Sequence, residues 1–144
     1  MTKDVIVYVT GTQLNQQIDA DDAIELVTRG TYYKKNNKHY VIYDELIEGI
    51  SGVVKNTIKF DSNMLLLSRS GALNMTMFFE ENKRNMTNYN TPFGNVVIGI
   101  AASEINVTEE TDEIKAEVDY AIDANYEYLS DCSISLRIES TKKK

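Results

Sequence analysis

Cysteine, histidine, proline and tryptophan are scarce in this chain of 144 residues, which has one cysteine, one histidine, one proline and no tryptophan. The single cysteine, Cys132, cannot form an internal disulfide, which fits a reducing compartment. Zinc sites draw on several histidine and cysteine ligands, and His39 and Cys132 are the only two that the sequence offers. We therefore predict no metal site and no cofactor.

Long apolar runs are also missing. The longest one covers residues 96–102, far below the roughly 20 apolar residues that a membrane-spanning helix needs. The first residues, 1–4, place an acid where a signal peptide would have a basic region followed by an apolar one. The sequence therefore predicts a cytoplasmic protein without membrane contact.

The chain has no excess of basic residues. Its formal net charge is −7, and residues 104–123 contain eight acids and one base, which accounts for the whole of this excess. The remainder is neutral in sum, and its basic residues do not form one stripe along the sequence. An acidic face of this kind disfavours binding to nucleic-acid phosphates, so nucleic acid is not an expected partner.

Catalytic motifs are absent as well: there is no phosphate-binding loop, dinucleotide fingerprint or metalloprotease helix motif. The paired acids Glu109 and Glu110 fall in a polar turn, whereas glycosidase chemistry needs two acids that face each other across a cleft. His39 lies next to a predicted hairpin turn and is expected to be solvent-exposed. No catalytic residue is predicted, and a non-enzymatic protein is favoured.

What the sequence does contain is alternation with a period of two, which is typical of β-strands with one wet face. In residues 113–123, apolar side chains at even positions oppose mainly charged ones at odd positions. Asn36 and Asn37 predict a tight hairpin turn because asparagine tolerates a left-handed backbone. Strands are predicted at residues 4–12, 23–34, 38–45, 53–60, 64–69, 72–79, 95–105, 113–123 and 133–139.

About nine short strands with short connections predict an all-β fold, a single antiparallel meander closed into a β-barrel of about 8–10 strands. Closure removes the exposed strand edges that would otherwise aggregate. A two-sheet β-sandwich is the alternative. The barrel domain is predicted to cover residues 1–141, and the basic tail, residues 142–144, to be a solvated end.

Residues 64–105 form the centre of this pattern. Two apolar runs meet at a turn at Ser70 and Gly71, and a third run follows the only proline, Pro92. The polar segment between Phe79 and Tyr89 is predicted to be a loop.

Four short motifs occur in a fixed order: residues 40–45 (YVIYDE), 57–59 (TIK), 69–71 (RSG) and 89–94 (YNTPFG). With these motifs the sequence resembles the YwiB-like family of bacterial proteins, from the first strand to Glu139. The resemblance implies a calycin-type, lipocalin-like barrel in a bacterial cytoplasm. It carries no catalytic residue across, because the family has none assigned.

Candidate binding residues follow from the barrel, whose interior can be filled by side chains or can hold one small ligand. Arg69 shares a pleat face with Leu65 and Leu67. If that face points inward, the guanidinium needs a carboxylate or an anionic ligand, because an unpaired buried charge is costly. Glu45 is the predicted partner, and a purely structural ion pair is the alternative to ligand contact.

Tyrosine is abundant, with nine residues against four phenylalanines, and each ring offers an apolar body with one hydroxyl. The candidates to line a pocket mouth are Tyr33, Tyr43, Tyr89 and Tyr120. Phe93 is predicted to act as a plug. The candidate ligand-binding set is therefore Arg69, Glu45, Tyr43, Tyr89 and Phe93.

Three functional hypotheses remain open. The first is a non-enzymatic barrel that binds a small, partly apolar ligand in its lumen. The second is an interaction or assembly protein with a self-filled barrel, which dimerises through an exposed strand or through a face formed by Met75, Met77 and Phe79. The third is an enzyme at the barrel mouth, which requires Tyr89 or His39 beside a carboxylate in a concave site.

Overall fold

The computed structural model describes residues 1–11, 24–46, 49, 51–72, 74–91 and 94–141. The regular secondary structure in these ranges consists of ten strands: β1 (Asp4–Gly11), β2 (Ile24–Lys35), β3 (Lys38–Glu45), β4 (Val54–Phe60), β5 (Met64–Gly71), β6 (Met75–Glu80), β7 (Lys83–Thr91), β8 (Gly94–Glu109), β9 (Glu113–Ala124) and β10 (Glu127–Ser140). Among these residues, no helix is long and apolar enough to cross a membrane. The predicted tail, residues 142–144, lies outside the described residues.

The ten strands form one antiparallel sheet in the order β6-β5-β4-β3-β2-β1-β10-β9-β8-β7. Strands that follow each other in sequence pair with each other, except β6 and β7, which are the two ends of the sheet. These two strands lie close together: Thr87 Oγ1 on β7 donates a hydrogen bond of 2.9 Å to the Thr76 carbonyl on β6. The predicted antiparallel meander is therefore confirmed as a nearly closed barrel, with a seam between β6 and β7.

The predicted hairpin turn between β2 and β3 is also confirmed. Asn36 and Asn37 have φ angles of 53° and 63°, the left-handed conformation that a tight hairpin requires of both central residues. Asparagine adopts it more readily than most residues because its short polar side chain can hydrogen-bond locally.

Strand β7 contradicts the prediction of a polar loop between Phe79 and Tyr89. It pairs with β8 along its whole length, from Lys83 opposite Ala102 to Thr91 opposite Gly94. The alternation signal is weak here because β7 borders the seam, and those of its side chains that the structure describes, residues 83–88, add nothing to the buried apolar cluster. Local hydrophobicity therefore could not reveal it.

The core is one contiguous cluster of buried apolar side chains drawn from every strand except β7. Phe60 and Phe79 are its largest members, and both are fully buried. Met77 and Phe79 lie in this cluster and Met75 packs against it, so the predicted outward-facing patch of these three residues does not exist. Their side chains point inward because they lie on the same side of the pleat.

The barrel has two ends with different connections. The odd-numbered strands end at what we call the loop end, where the connections include residues 12–23. The even-numbered strands end at the turn end, where the connections are short, such as residues 36–37, 61–63, 81–82 and 110–112. Each end carries a cluster of polar side chains.

Candidate functional site

One inward-facing row near the loop end is polar rather than apolar. The pairing registers place Tyr43, Asn56, Arg69 and Met75 opposite one another on β3, β4, β5 and β6. Leu65 and Leu67, on the same face of β5 as Arg69, are buried. The Arg69 side chain is only 15% exposed, so its guanidinium lies inside the barrel.

Three side chains close this row into a hydrogen-bonded group. Arg69 Nη2 lies 2.6 Å from Glu45 Oε1, and Arg69 Nε donates to Asn56 Oδ1 at 3.0 Å. Asn56 Nδ2 donates to Glu45 Oε1 at 3.1 Å. Asn56, 1% exposed, has both ends of its amide satisfied, and the charge of Arg69 is compensated. We call Glu45, Asn56 and Arg69, with Tyr43 beside them, the loop-end cluster.

Tyr43 contributes a protonated phenol to this cluster. Its side chain is buried, and burial, together with the nearby Glu45, raises the pKa of its hydroxyl above the ordinary 10, while Arg69 opposes the shift. The phenol therefore stays neutral at physiological pH and offers a ring face and one hydroxyl.

The structure describes the two remaining predicted site residues only in part or not at all. Tyr89 lies in β7 opposite Val96, toward the loop end, and nothing further is described of its side chain. Phe93 lies outside the described residues. The ligand-binding roles of Arg69, Glu45, Tyr43, Tyr89 and Phe93 all stay predictions.

Asn56 is the member of the loop-end cluster that the sequence analysis missed. The signal was present, because Asn56 occupies the same pleat face as Val54, Ile58 and Phe60, which are all buried. A polar residue on an otherwise apolar face needs buried partners, and this requirement would have pointed to Arg69 and Glu45.

A second polar cluster lies at the turn end, around His39, which is 5% exposed. The prediction that His39 is solvent-exposed is therefore wrong. His39 shares the inward face of β3 with Val41 and Tyr43, and its ring stacks on Phe60 with centroids 4.9 Å apart. Nearness to a turn did not expose it because the pleat direction decides which way a strand side chain points.

The two ring nitrogens of His39 face two polar neighbours. Its Nδ1 lies 2.7 Å from the Tyr32 hydroxyl, and its Nε2 lies 3.4 Å from Glu109 Oε1. Burial lowers the pKa of His39 below its ordinary 6.5, although Glu109 opposes this. Burial and Glu109 raise the pKa of Tyr32 to about 12.

These shifts assign the protons. A neutral His39 accepts the hydroxyl hydrogen of Tyr32 on Nδ1, which leaves its own hydrogen on Nε2, facing the Glu109 carboxylate. Tyr32, His39 and Glu109 thus form a row of polar groups from the core to the surface, which we call the turn-end cluster.

Open space lies beside the turn-end cluster. A shallow cavity of about 660 Å³ borders Tyr32, Tyr33, Lys34 and Glu109. The third hypothesis requires His39 beside a carboxylate in a concave site. His39 lies beside the Glu109 carboxylate, but it is buried and does not line this cavity, so the hypothesis stays a prediction. Tyr32 keeps its proton at neutral pH and is therefore a poor nucleophile, so the geometry does not single out a catalytic step.

Metal ligation finds no support in the described part of the chain, where no three histidine, cysteine or acidic side chains are grouped to hold an ion. Cys132 is half-buried and packs against the core. Its Sγ lies 3.3 Å from Ser130 Oγ, which is the environment of a small filler side chain.

Comparison with known proteins gives three findings. A family model described as "Domain of unknown function (DUF1934)" matches residues 7–136. The chain is 32% identical over 102 residues to the "Uncharacterized beta-barrel protein YwiB" of Bacillus subtilis (strain 168), an alignment that covers 71% of this chain and 69% of that protein. The crystal structure of ywiB protein from Bacillus subtilis superimposes with a TM-score of 0.73 over 96% of this chain and 91% of that chain, at 22% identity, and so shares its fold.

Proposed function

The chain belongs to the DUF1934 family of YwiB-like β-barrels, and from this premise we propose that it is a non-enzymatic, cytoplasmic binding protein for a small, partly apolar ligand. The binding site is the loop end of the barrel. The ligand carries an acidic or other hydrogen-bond-accepting group that meets Arg69.

The observation that carries the proposal is the partly engaged guanidinium inside the barrel. Among the described residues, Glu45 engages Nη2 of Arg69 and Asn56 engages Nε, while Nη1 has no partner. Apolar side chains of similar volume generally stabilise a core as well as a buried ion pair does. Stability alone therefore does not explain why an arginine lies here, and a ligand that accepts from Nη1 does.

The apolar part of the ligand is accounted for by the surroundings of Arg69. Tyr43 offers a ring face, and Met75 packs at the edge of the core. The next inward row, which contains Ile58 and Leu67, belongs to the buried cluster. The ligand therefore rests on the loop-end cluster and reaches no deeper into the lumen.

Calorimetric titration with octanoate and benzoate tests this proposal. Arg69→Met removes the guanidinium, and Arg69→Met with Glu45→Met removes both charges so that no carboxylate is left unpaired. The matched control is Arg84→Met, since Arg84 pairs with Asp123 on the outer surface.

We expect the wild-type protein and Arg84→Met to bind with similar affinity, and both Arg69 variants to bind at least about tenfold more weakly, the loss expected for one charged hydrogen bond. Undiminished binding by the double variant, or no binding of either acid by the wild-type protein, would overturn the proposal.

The second hypothesis, an interaction module with a self-filled barrel, keeps one supporting observation. The interior rows between the loop-end cluster and the turn end are filled by the protein's own side chains. If the loop end binds no small molecule, the filled interior leaves no room for a ligand, and the outer surface is then the part of the protein that binds its partner.

A further inference from the structure

The structure points to a second small-molecule site, on the opposite end of the barrel from the proposed ligand site. We propose that the cavity at the turn end binds one planar heteroaromatic ring, of the kind found in a nucleoside, by stacking on Tyr33. Arg69 and the loop-end cluster take no part in this site.

A row of stacked side chains lies on the outer face of the sheet. Tyr33 on β2 and Tyr40 on β3 are register partners, and their rings lie parallel, with centroids 4.8 Å apart and planes 5° apart. Lys59 on β4 follows, its ammonium 5.6 Å from the Tyr40 ring centroid. The order is Tyr33, Tyr40, Lys59, so both faces of the Tyr40 ring are covered.

This row ends at Tyr33. Among the residues that the structure describes, Tyr33 has a ring partner only on the β3 side, and it is 42% exposed. On the other side, β1 begins at Asp4, opposite Thr31, and does not extend along Tyr33. The exposed ring borders the cavity of about 660 Å³, which is large enough for a fused ring system with a sugar-sized substituent.

The wall of the cavity carries charges of both signs. Three cationic groups, the side chains of Lys3 and Lys34 and the amino terminus of Met1, and two anions, Glu109 and Glu110, border it. A bound ring therefore meets both hydrogen-bond donors and acceptors. The same side chains supply donors and acceptors to the polar edge of a heteroaromatic ring, while Tyr33 supplies the stacking face.

The backbone at the floor of the cavity is held in place by hydrogen bonds. Tyr32, which also borders the cavity, is held by its hydrogen bond to the buried His39. Its backbone N–H donates to the Lys3 carbonyl at 2.8 Å. These contacts fix the backbone next to Tyr33, so that little ordering is required when a ring stacks there.

Equilibrium dialysis with adenosine, guanosine and uridine tests the site, with ribose as the probe that lacks a ring. Tyr33→Thr removes the ring but keeps a good strand former. Tyr33→Phe keeps the ring and removes the hydroxyl. Tyr128→Thr is the matched control, since Tyr128 is a highly exposed tyrosine that also lies within a strand, β10.

We expect at least one nucleoside to bind the wild-type protein, Tyr33→Phe and Tyr128→Thr with similar affinity, and ribose not to bind. Tyr33→Thr should weaken that binding about tenfold, within the range found when a stacking aromatic is removed. Amide chemical-shift changes on binding should centre on Tyr33 and Lys34.

Undiminished binding by Tyr33→Thr, shift changes centred on another surface, or no binding of any of the three nucleosides at millimolar concentration would overturn the inference. Arg69→Met should leave nucleoside binding unchanged, so a failure here is distinguishable from a failure of the loop-end proposal.

Discussion

Two buried polar residues, Asn56 and His39, stand out at the scale of single side chains. Asn56 lies on a strand face whose other inward residues are apolar, and His39 shares its face with the buried Val41 and Tyr43. Each is satisfied by partners from other strands: Asn56 by Arg69 and Glu45, and His39 by Tyr32. Because an unsatisfied buried polar group costs about 1–3 kcal/mol, both positions restrict which side chains their neighbours can carry.

The protonation of His39 gives a pH dependence with a definite sign. Burial lowers the pKa of His39 in the folded protein, whereas an unfolded histidine titrates near 6.5. Between these two values the unfolded chain binds more protons, so the free energy of unfolding falls as the pH drops below 6.5 and this contribution is constant above it. One proton accounts for at most about 1.4 kcal/mol per pH unit.

Urea unfolding of the wild-type protein and of His39→Gln at pH 7.5 and pH 5.5 measures this effect. Charged groups near the imidazole, Glu109, Lys34 and Asp61, are present in both proteins, so the difference between the two pH dependences reports His39 alone. We expect the wild-type protein to lose more stability than His39→Gln over this interval. Equal losses would mean that His39 does not titrate as its burial implies.

At the scale of strands, close packing between neighbours is visible at two glycines. A Cβ on Gly30 would lie 2.8 Å from the Ile42 carbonyl oxygen and 2.8 Å from Val7 Cγ2. A Cβ on Gly99 would lie 2.5 Å from Arg84 Nη2 and 2.5 Å from an oxygen of Asp123. Backbone and core atoms surround the first position, whereas the ends of two flexible side chains cover the second.

The two glycines therefore predict different responses to the same substitution. Gly30→Ala forces β3 and a buried valine away from β2, which should destabilise the protein by about 1–3 kcal/mol, the range for overpacked cores. Gly99→Ala should displace the Arg84–Asp123 ion pair and lose less stability, because surface pairs contribute little. Thermal and urea unfolding measure the loss of stability in each variant. Equal losses in the two variants would contradict this prediction.

At the scale of the whole molecule, the sheet is held together by its long-range pairings. β1 and β10 pair along Val5 to Gly11, which brings the two ends of the described chain side by side. β6 and β7 have a ladder partner on one side only. Opening the sheet at the seam therefore breaks no ladder, whereas opening it between β1 and β10 breaks a complete one.

Amide hydrogen exchange should show this difference. Amides in β1, β9 and β10, which lie between two paired neighbours, should exchange slowest, with protection approaching the global free energy of unfolding. Amides of β6 and β7 that face the seam should exchange fastest among the strands. Exchange followed by NMR separates these groups, and equal protection at the seam would indicate that β6 and β7 pair in solution.

Much of the architecture could be predicted from the sequence because the direction of a strand side chain is local. The period-two pattern predicted all strands except β7, and the shared pleat face of Leu65, Leu67 and Arg69 determined that they point the same way. For the candidate site, Arg69, Glu45 and Tyr43 were predicted, while Asn56 was missed although its apolar strand face was visible.

Alternation along the chain, set by the geometry of the extended backbone, determined by itself that this protein is an antiparallel β structure with its apolar faces turned to one interior. Only the tertiary structure decided which distant residues meet there, such as Lys34 and Glu109, which are 75 positions apart. It also decided that β7 is a strand, that His39 is buried and that the sheet stops short of closing between β6 and β7. These features depend on pairing register and curvature, which arise between strands and leave no trace in a local pattern.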